Sequence, residues 1–535
     1  MPSPASSPSS APPDTGTRHI TATIVLACLG VFVSYLPVVG VSVALPVMQQ
    51  ALDASTEGLQ WITDAFILPT AALLLTCGMV GDLYGRKKTY LAGLALSSLG
   101  CLVCLTAGSV VQVCAGQALT GIGTAALLPS TLALIGHVIP DPRKRRHAIA
   151  LWTAALGLGL TLGPVVNGVI VAHTSWRWIF LPSLVLAVVT AVIGAVVLTD
   201  SRAERERHLD IPGQLLAIVA ITGLVYGVIE GGSAGWSSAQ VVIAFVAAAL
   251  GAVGFVLVEL RSACPMLDMR LFKSSAFSGA ALVMAVTLFA QVGLVFALSE
   301  YFGLVHHAST LDIGIRLIAI NGFTVVLGPL VGKLMNRVTP GLLLVTGLVV
   351  GGIGALLMNA FQAGTGTGEA ALVIGVLGIG IALAMAPITT IAMDALPHRL
   401  GGTAAAANSA LRQIGSALGP AVFGVILTHR TLATLPGHLA SSGLNPADQG
   451  QVSGLVSHVG IQAGAFLQLK TPASTGQAQA AYGASFTDAL HTCALVGGVG
   501  MLVAAVIAVA LIGIRPARAP QAAPEAAVHP AGAAG

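Results

Sequence analysis

Hydrophobic positions in this chain fall in long unbroken blocks separated by short polar gaps. Apolar stretches run at roughly 21–46, 59–80, 89–108, 110–135, 148–172, 179–198, 212–231, 240–260, 276–300, 313–334, 341–360, 370–392, 403–427 and 487–514. Each supplies the ~20 residues a helix needs to cross a ~30 Å hydrocarbon core. The pattern predicts an all-α polytopic membrane protein of fourteen spanning helices. Its weakest boundary is at Ser109, where Gly108-Ser109 leaves almost no loop. Residues 428–486, rich in Gly, Ser, Gln and Ala, show poor periodicity and read as a long loop with room for short helices. The Ser/Pro-rich 1–18 and the Ala/Pro-rich 516–535 read as disordered tails, the first lacking a clear cleavage site.

Composition narrows the class further. Charged residues are 8% of the chain, against about 25% in soluble domains, and mean hydropathy is +0.90. A water-soluble fold could not cover its surface with so few charges. The net charge of +4 is too small for a nucleic-acid-binding face. Six of the seven cysteines sit inside apolar runs as small hydrophobes, and Cys101 and Cys104 have no second pair, so no metal or redox centre is expected. No phosphate-binding glycine loop or Ser/His/Asp order appears, so neither a cofactor nor an enzymatic or ATP-driven activity is expected.

Charge also orients the chain. With the N-terminus inside, nineteen of the 24 Lys and Arg residues fall on inner segments, including the clusters at 86–88, 143–146 and 202–207. Arg177, Arg430 and Lys470 fall outside, and Arg316 and Arg412 lie within spans. The positive-inside rule then predicts both termini cytoplasmic. An internal echo divides the chain: Val80-Gly81-Asp82-Leu83 with Arg86 recurs as Val331-Gly332-Lys333-Leu334 with Arg337, 251 residues on. The expected organisation is a six-helix bundle over 19–198, two extra helices within 199–275, and a second six-helix bundle over 276–515 carrying the outer loop 428–486. Such parallel halves are a common transporter plan.

Several segments agree, in order and membrane side, with one family. GMVGDLYGRKK (78–88) resembles the inner-turn signature of the major facilitator superfamily, and GLTLGPVVNG (159–168) is similar to its antiporter signature. LQWITDAFIL (59–68), SWRWIF (175–180), GWSS (235–238) and ALRQIGSALG (410–419) resemble the fourteen-helix drug:proton antiporters of that superfamily. The likeness covers about residues 20–515. It implies a multi-pass protein of a bacterial cell membrane, working by alternating access on small-molecule substrates, with protons as the coupled partner.

The resemblance assigns the candidate residues. Gly78, Gly81, Asp82, Gly85 and Arg86 form a gating turn, in which glycines allow the tight turn and Arg86 or a facing helix N-terminus satisfies Asp82. Gly159, Gly163, Pro164 and Gly168 let the fifth helix approach its neighbours and bend. Gln117, Thr120, Thr153, Thr161 and Asn167 are the expected cavity lining; Asn167 stands where the family commonly has glycine.

The departures matter more. The first helix reads LPVVGVSVALP (36–46), with Pro37 in place of the family's buried acid, and QALTGIG (117–123) has Gln117 in place of its arginine. Losing both is coherent, since either alone would leave an unpaired buried charge. Asp64, about 8 Å inside the outer boundary, is then the first remaining proton site, or else a wet helix-start residue. Arg412, about 13 Å deep, is either a second candidate coupling residue or a clamp on neighbouring carbonyls. Glu300 falls at the outer interface, and His306-His307 read as a solvated pair.

The resulting expectation is a monomeric exporter of hydrophobic or amphipathic, neutral or weakly charged molecules, antibiotics and other drugs or a self-made metabolite. The alternatives are a facilitator or metabolite carrier without proton coupling, and a non-transporting membrane sensor.

Overall fold

A computed structural model describes residues 15–514, save 55, 202–209, 263–268, 396–400 and 466. The two expected tails thus lie outside the described residues, apart from 15–18. Among the described residues the chain is helical, with no strand. The first half comprises α1 (Thr15–Leu52), α2 (Thr56–Tyr84), α3 (Arg86–Leu105), α4 (Val110–Val138), α5 (Pro142–His173) and α6 (Leu181–Val197). Then come α7 (Ile211–Ser233) and α8 (Ala239–Arg261). The second half holds α9 (Ser275–Leu304), α10 (Thr310–Leu334), α11 (Pro340–Leu357), α12 (Thr367–Asp394), α13 (Gly401–Ser441), α14 (Pro446–Val459) and α15 (Pro472–Leu511). Among the described residues thirteen helices are long and apolar enough to cross a membrane as they stand; α2, bent by 52° between Leu74 and Thr76, makes fourteen if taken as one span.

Local chemistry sets the boundaries. At the weak 109 junction, Ser109 caps α4 by accepting from the Gln112 amide, so a four-residue gap suffices to reverse the chain. Asp141 and Asp210 cap α5 and α7 in the same way, each followed by a proline in the first turn. Apolar side chains on α6, α8 and α15, such as Val196, Leu250 and Val506, point out of the molecule. In water such a surface would be a liability; against lipid tails it is the expected one.

Within the first half, α4 packs on α2 and α3, and α1 on α4, α5 and α6. Within the second, α9 packs on α13 and α15, and α11 on α12 and α15. The halves meet along two seams, α5 against α10 and α2 against α13. The α7–α8 hairpin rests on the second seam through α2 and α13, with Trp61 and Tyr226 rings 6.2 Å apart. The α5–α10 seam is close along its length because its residues are small. A Cβ at Gly332 would sit 2.8 Å from Ala150 Cβ, one at Gly328 would sit 2.9 Å from Ala154 Cβ, and one at Gly314 would sit 2.8 Å from Pro164 Cβ.

Residues 428–486 differ from the expected loop. α13 continues to Ser441, α14 follows, and α15 begins at Pro472, so most of the stretch is helical. Leu435, Leu439, Val452, Val456, Tyr482 and Phe486 are buried in one core with the second half. The Tyr482 hydroxyl donates to the Ile461 carbonyl, and His438 pairs with Asp488 at 2.8 Å. This is a folded cap. Of the expected solvated pair, His307 is exposed and His306 half-buried: the His306 ring packs edge-on to Tyr301 at 4.9 Å, and burial, then Arg316 and His307, hold it below the ordinary histidine range.

Candidate functional site

The 78–86 turn is built from α2, α3 and α4. Gly85 takes φ +117, a backbone only glycine adopts readily, and a Cβ there would lie 2.5 Å from an Asp200 carboxylate oxygen. Freed of side-chain clash, the turn lets the Arg86 amide donate to the Ser201 carbonyl at 2.9 Å. The Asp82 side chain is buried and accepts from Arg86 Nε and a terminal nitrogen at 3.2 and 3.0 Å, while Arg86 also reaches the Ala133 carbonyl of α4. Gly78 and Gly81 are buried in the same turn. These bonds tie the turn to its own half.

The described ion pairs between halves come from elsewhere. Arg145, in the first turn of α5, donates to the Asp394 carboxylate at the end of α12; Arg146 lies 3.8 Å from the same carboxylate and donates to the Met335 carbonyl after α10. Sequence reading did not single out Asp394. The hint available was two arginines beside each other at a predicted inner helix start.

The fifth-helix signature divides its glycines between partners. Gly159 faces Tyr35 and Phe32 of α1, Gly168 faces Leu311 of α10, and Pro164 meets Gly314 of α10; Gly163 is buried. Asn167 is fully buried and donates from Nδ2 to the Leu36 carbonyl at 3.2 Å, entering a gap that only Gly40 leaves open. It clamps α5 to α1, and its Oδ1 remains without a partner among the described residues. Thr120 turns to α3, against Gly100, rather than to a central cavity. Thr153 and Thr161 are buried, bonding back to the carbonyls of Ile149 and Gly157, and Gln117 is buried with Oε1 unpartnered among the described residues.

Arg412 is 5% exposed, and the structure brings it to the first half. A terminal nitrogen donates to the Tyr35 hydroxyl at 3.2 Å, and its guanidinium carbon lies 5.8 Å from the Tyr35 ring and 5.2 Å from the Trp152 ring. Trp152 is fixed by its own N–H, which donates to Thr131 Oγ1 at 3.0 Å. A second polar pair, Gln291 of α9 and Asn321 of α10, hydrogen-bonds at 3.2 Å inside the second half. Tyr35, Trp152, Gln291 and Asn321 escaped sequence reading; a tryptophan seven residues before Gly159 was the available signal. The side chain of Asp64 lies outside those described, although its backbone is helical. Glu300, at the end of α9, is within electrostatic reach of Tyr482 in the cap.

Comparison with known proteins agrees with this architecture. The family model described as Major Facilitator Superfamily matches residues 27–420. The chain is 33% identical over 427 residues to the multidrug resistance protein Stp of Mycobacterium tuberculosis, covering 80% of this chain and 79% of that one. It is 31% identical over 423 residues to the tetracenomycin C resistance and export protein of Streptomyces glaucescens, covering 79% and 78%. Among solved structures, a proton:xylose symporter of the same superfamily superposes with TM-score 0.61 at 13% identity, over 92% of this chain and 95% of that one. A helical bundle of this plan, joined across its halves along two seams and matched over most of its length, is a membrane transporter rather than an enzyme: the chain belongs to the major facilitator superfamily.

Proposed function

We propose that this protein exports hydrophobic or amphipathic small molecules by alternating access, exchanging them for protons. The observation that carries this reading is the Arg412 group. Trp152 of one half and Arg412 of the other lie about 15 Å along α5 and α13, near the middle of a ~30 Å core, and Tyr35 of α1 meets them there. A polar cluster shared by both halves at that depth is where a substrate would be held while the halves rock. The relatives' names, which speak of multidrug resistance and of antibiotic resistance and export, support cargo of this kind.

The basic-residue distribution supports a cytoplasmic position for both termini and for the Arg145–Asp394 end. The 78–86 turn then holds the cytoplasmic gate in shape, and the arginine–aspartate pair latches it. One observation favours an uncoupled facilitator instead: Pro37 and Gln117 occupy the places of the expected acid and base. Dye efflux from cells expressing the protein, with and without a protonophore, separates the readings. An antiporter loses efflux on collapse of the gradient, a facilitator equilibrates the dye either way, and a sensor moves none.

A further inference from the structure

We propose that Arg412 is an anion-recognition group and that the exported molecule is an amphipathic acid, a carboxylate or ionised phenol attached to an apolar ring system. The inference deepens the export reading and rests on it.

A guanidinium stays protonated at any physiological pH and offers five N–H donors. Burying one without an anion is costly unless other groups compensate. Arg412 is 5% exposed, yet among the described residues it makes one hydrogen bond, to Tyr35, and no carboxylate lies in salt-bridge range. The Tyr35 and Trp152 rings compensate part of the charge by cation–π attraction and leave the planar fork available. That fork matches the two oxygens of a carboxylate. Tyr35, which accepts from Arg412, keeps its own hydroxyl proton to give to the same anion. Asn408, one turn before Arg412 on α13, is buried with Oδ1 unpartnered among the described residues, so a hydroxyl beside the acid would find an acceptor. The rings themselves favour flat apolar bodies.

The site is also assembled rather than fortuitous. Gly159 lets α1 close on α5, with a would-be Cβ 3.3 Å from Tyr35 Cβ, which sets Tyr35 beside Trp152. Thr131 locks the indole. The cation comes from the second half and both rings from the first, so an anion bound here touches both halves.

The test is a titration of purified full-length protein in detergent with anthraquinone-2-carboxylate and with its methyl ester, following thermal unfolding. The acid should raise Tm at concentrations about ten- to a hundredfold below the ester, the ratio expected of a charge-assisted hydrogen bond. Arg412→Gln should abolish that preference, Arg412→Lys should keep part of it, and Tyr35→Phe, which leaves the charge in place, should reduce it severalfold. Equal shifts by acid and ester, no shift by either, or a preference unchanged in Arg412→Gln or Tyr35→Phe would overturn the proposal. Vesicle efflux of the same pair keeps the two readings apart. Efflux of the ester without preference for the acid removes the anion site and leaves export standing; acid binding without flux of either compound removes export and leaves the site.

Discussion

Arg145, in the first turn of α5, donates a hydrogen bond to Asp394, the last residue of α12, joining positions 249 residues apart across the two halves of the molecule. Arg146 stands by the same carboxylate, so Asp394 answers two cations. Asp394 keeps 27% of its side chain exposed, which limits the pair to about 1 kcal/mol by the measure of partly screened ion pairs. In a two-state gate that is about a fivefold shift in population.

Asp394→Asn should therefore open this end. A cysteine placed at Gly136, which lies against Met393, should be labelled about fivefold faster in the Asn variant, while the protein stays in the membrane. Unchanged labelling would show that the pair does not latch the gate.

Gly85→Leu should abolish export without preventing insertion. The substitution meets both a φ of +117 and the Asp200 carboxylate 2.5 Å from the new Cβ. Backbone strain of this kind is about 1–3 kcal/mol, enough to distort a turn but not to unfold a large helical bundle. Asp82→Ala should act in the same direction, because it leaves buried Arg86 without its carboxylate. Transport assays on protein quantified in the membrane check both. Normal export by either variant would remove the turn from the gate.

Deleting 435–480 should reduce folded, protease-resistant protein sharply. The cut removes Leu435, Leu439, Val452, Val456 and Ala463 from the core of the second half and leaves Tyr482 without its Ile461 partner. Loss of several buried aliphatic side chains, at about 1.5–3 kcal/mol each, exceeds the margin of most folds. Full recovery of membrane-inserted protein after the deletion would show the cap to be dispensable.

The contrast between this cap and the spanning helices shows what the sequence carried. Fourteen apolar blocks were legible because each lipid-facing helix must be apolar on the outside as well as within. The cap was not, since Leu435 and Leu439, and Val452 and Val456, form four-residue pairs diluted by polar neighbours such as Gln449 and Gln451. The 78–86 turn was legible from its glycines and charges. The Arg145–Asp394 pair was not, because nothing local in either segment specifies a partner so far along the chain. Tyr35 and Trp152 read as ordinary apolar positions until folding brought Arg412 to them. Thr120 packs on α3, its hydroxyl satisfied by its own helix through the Gly116 carbonyl, a placement that no local pattern specifies.

Asp64 remains the first acid to examine for coupling, since Pro37 and Gln117 leave the usual positions without charge. Asp64→Asn should flatten the pH dependence of efflux, whereas Glu300→Gln, at the end of α9 beside the cap, should preserve it. By position along its helix Asp64 lies about 8 Å inside the outer boundary, whereas Glu300 falls at the outer interface, so the expected dependence falls on Asp64. Equal pH profiles for the wild type and Asp64→Asn would remove this site from coupling.

The central claim, export in exchange for protons, meets its most direct test in proteoliposomes holding the purified protein and a pH-sensitive dye inside. With the lumen acidic, an added amphipathic substrate should accumulate and alkalinise the lumen, and nigericin should abolish both signals. Accumulation without a lumenal pH change, or no accumulation under any gradient, would contradict it.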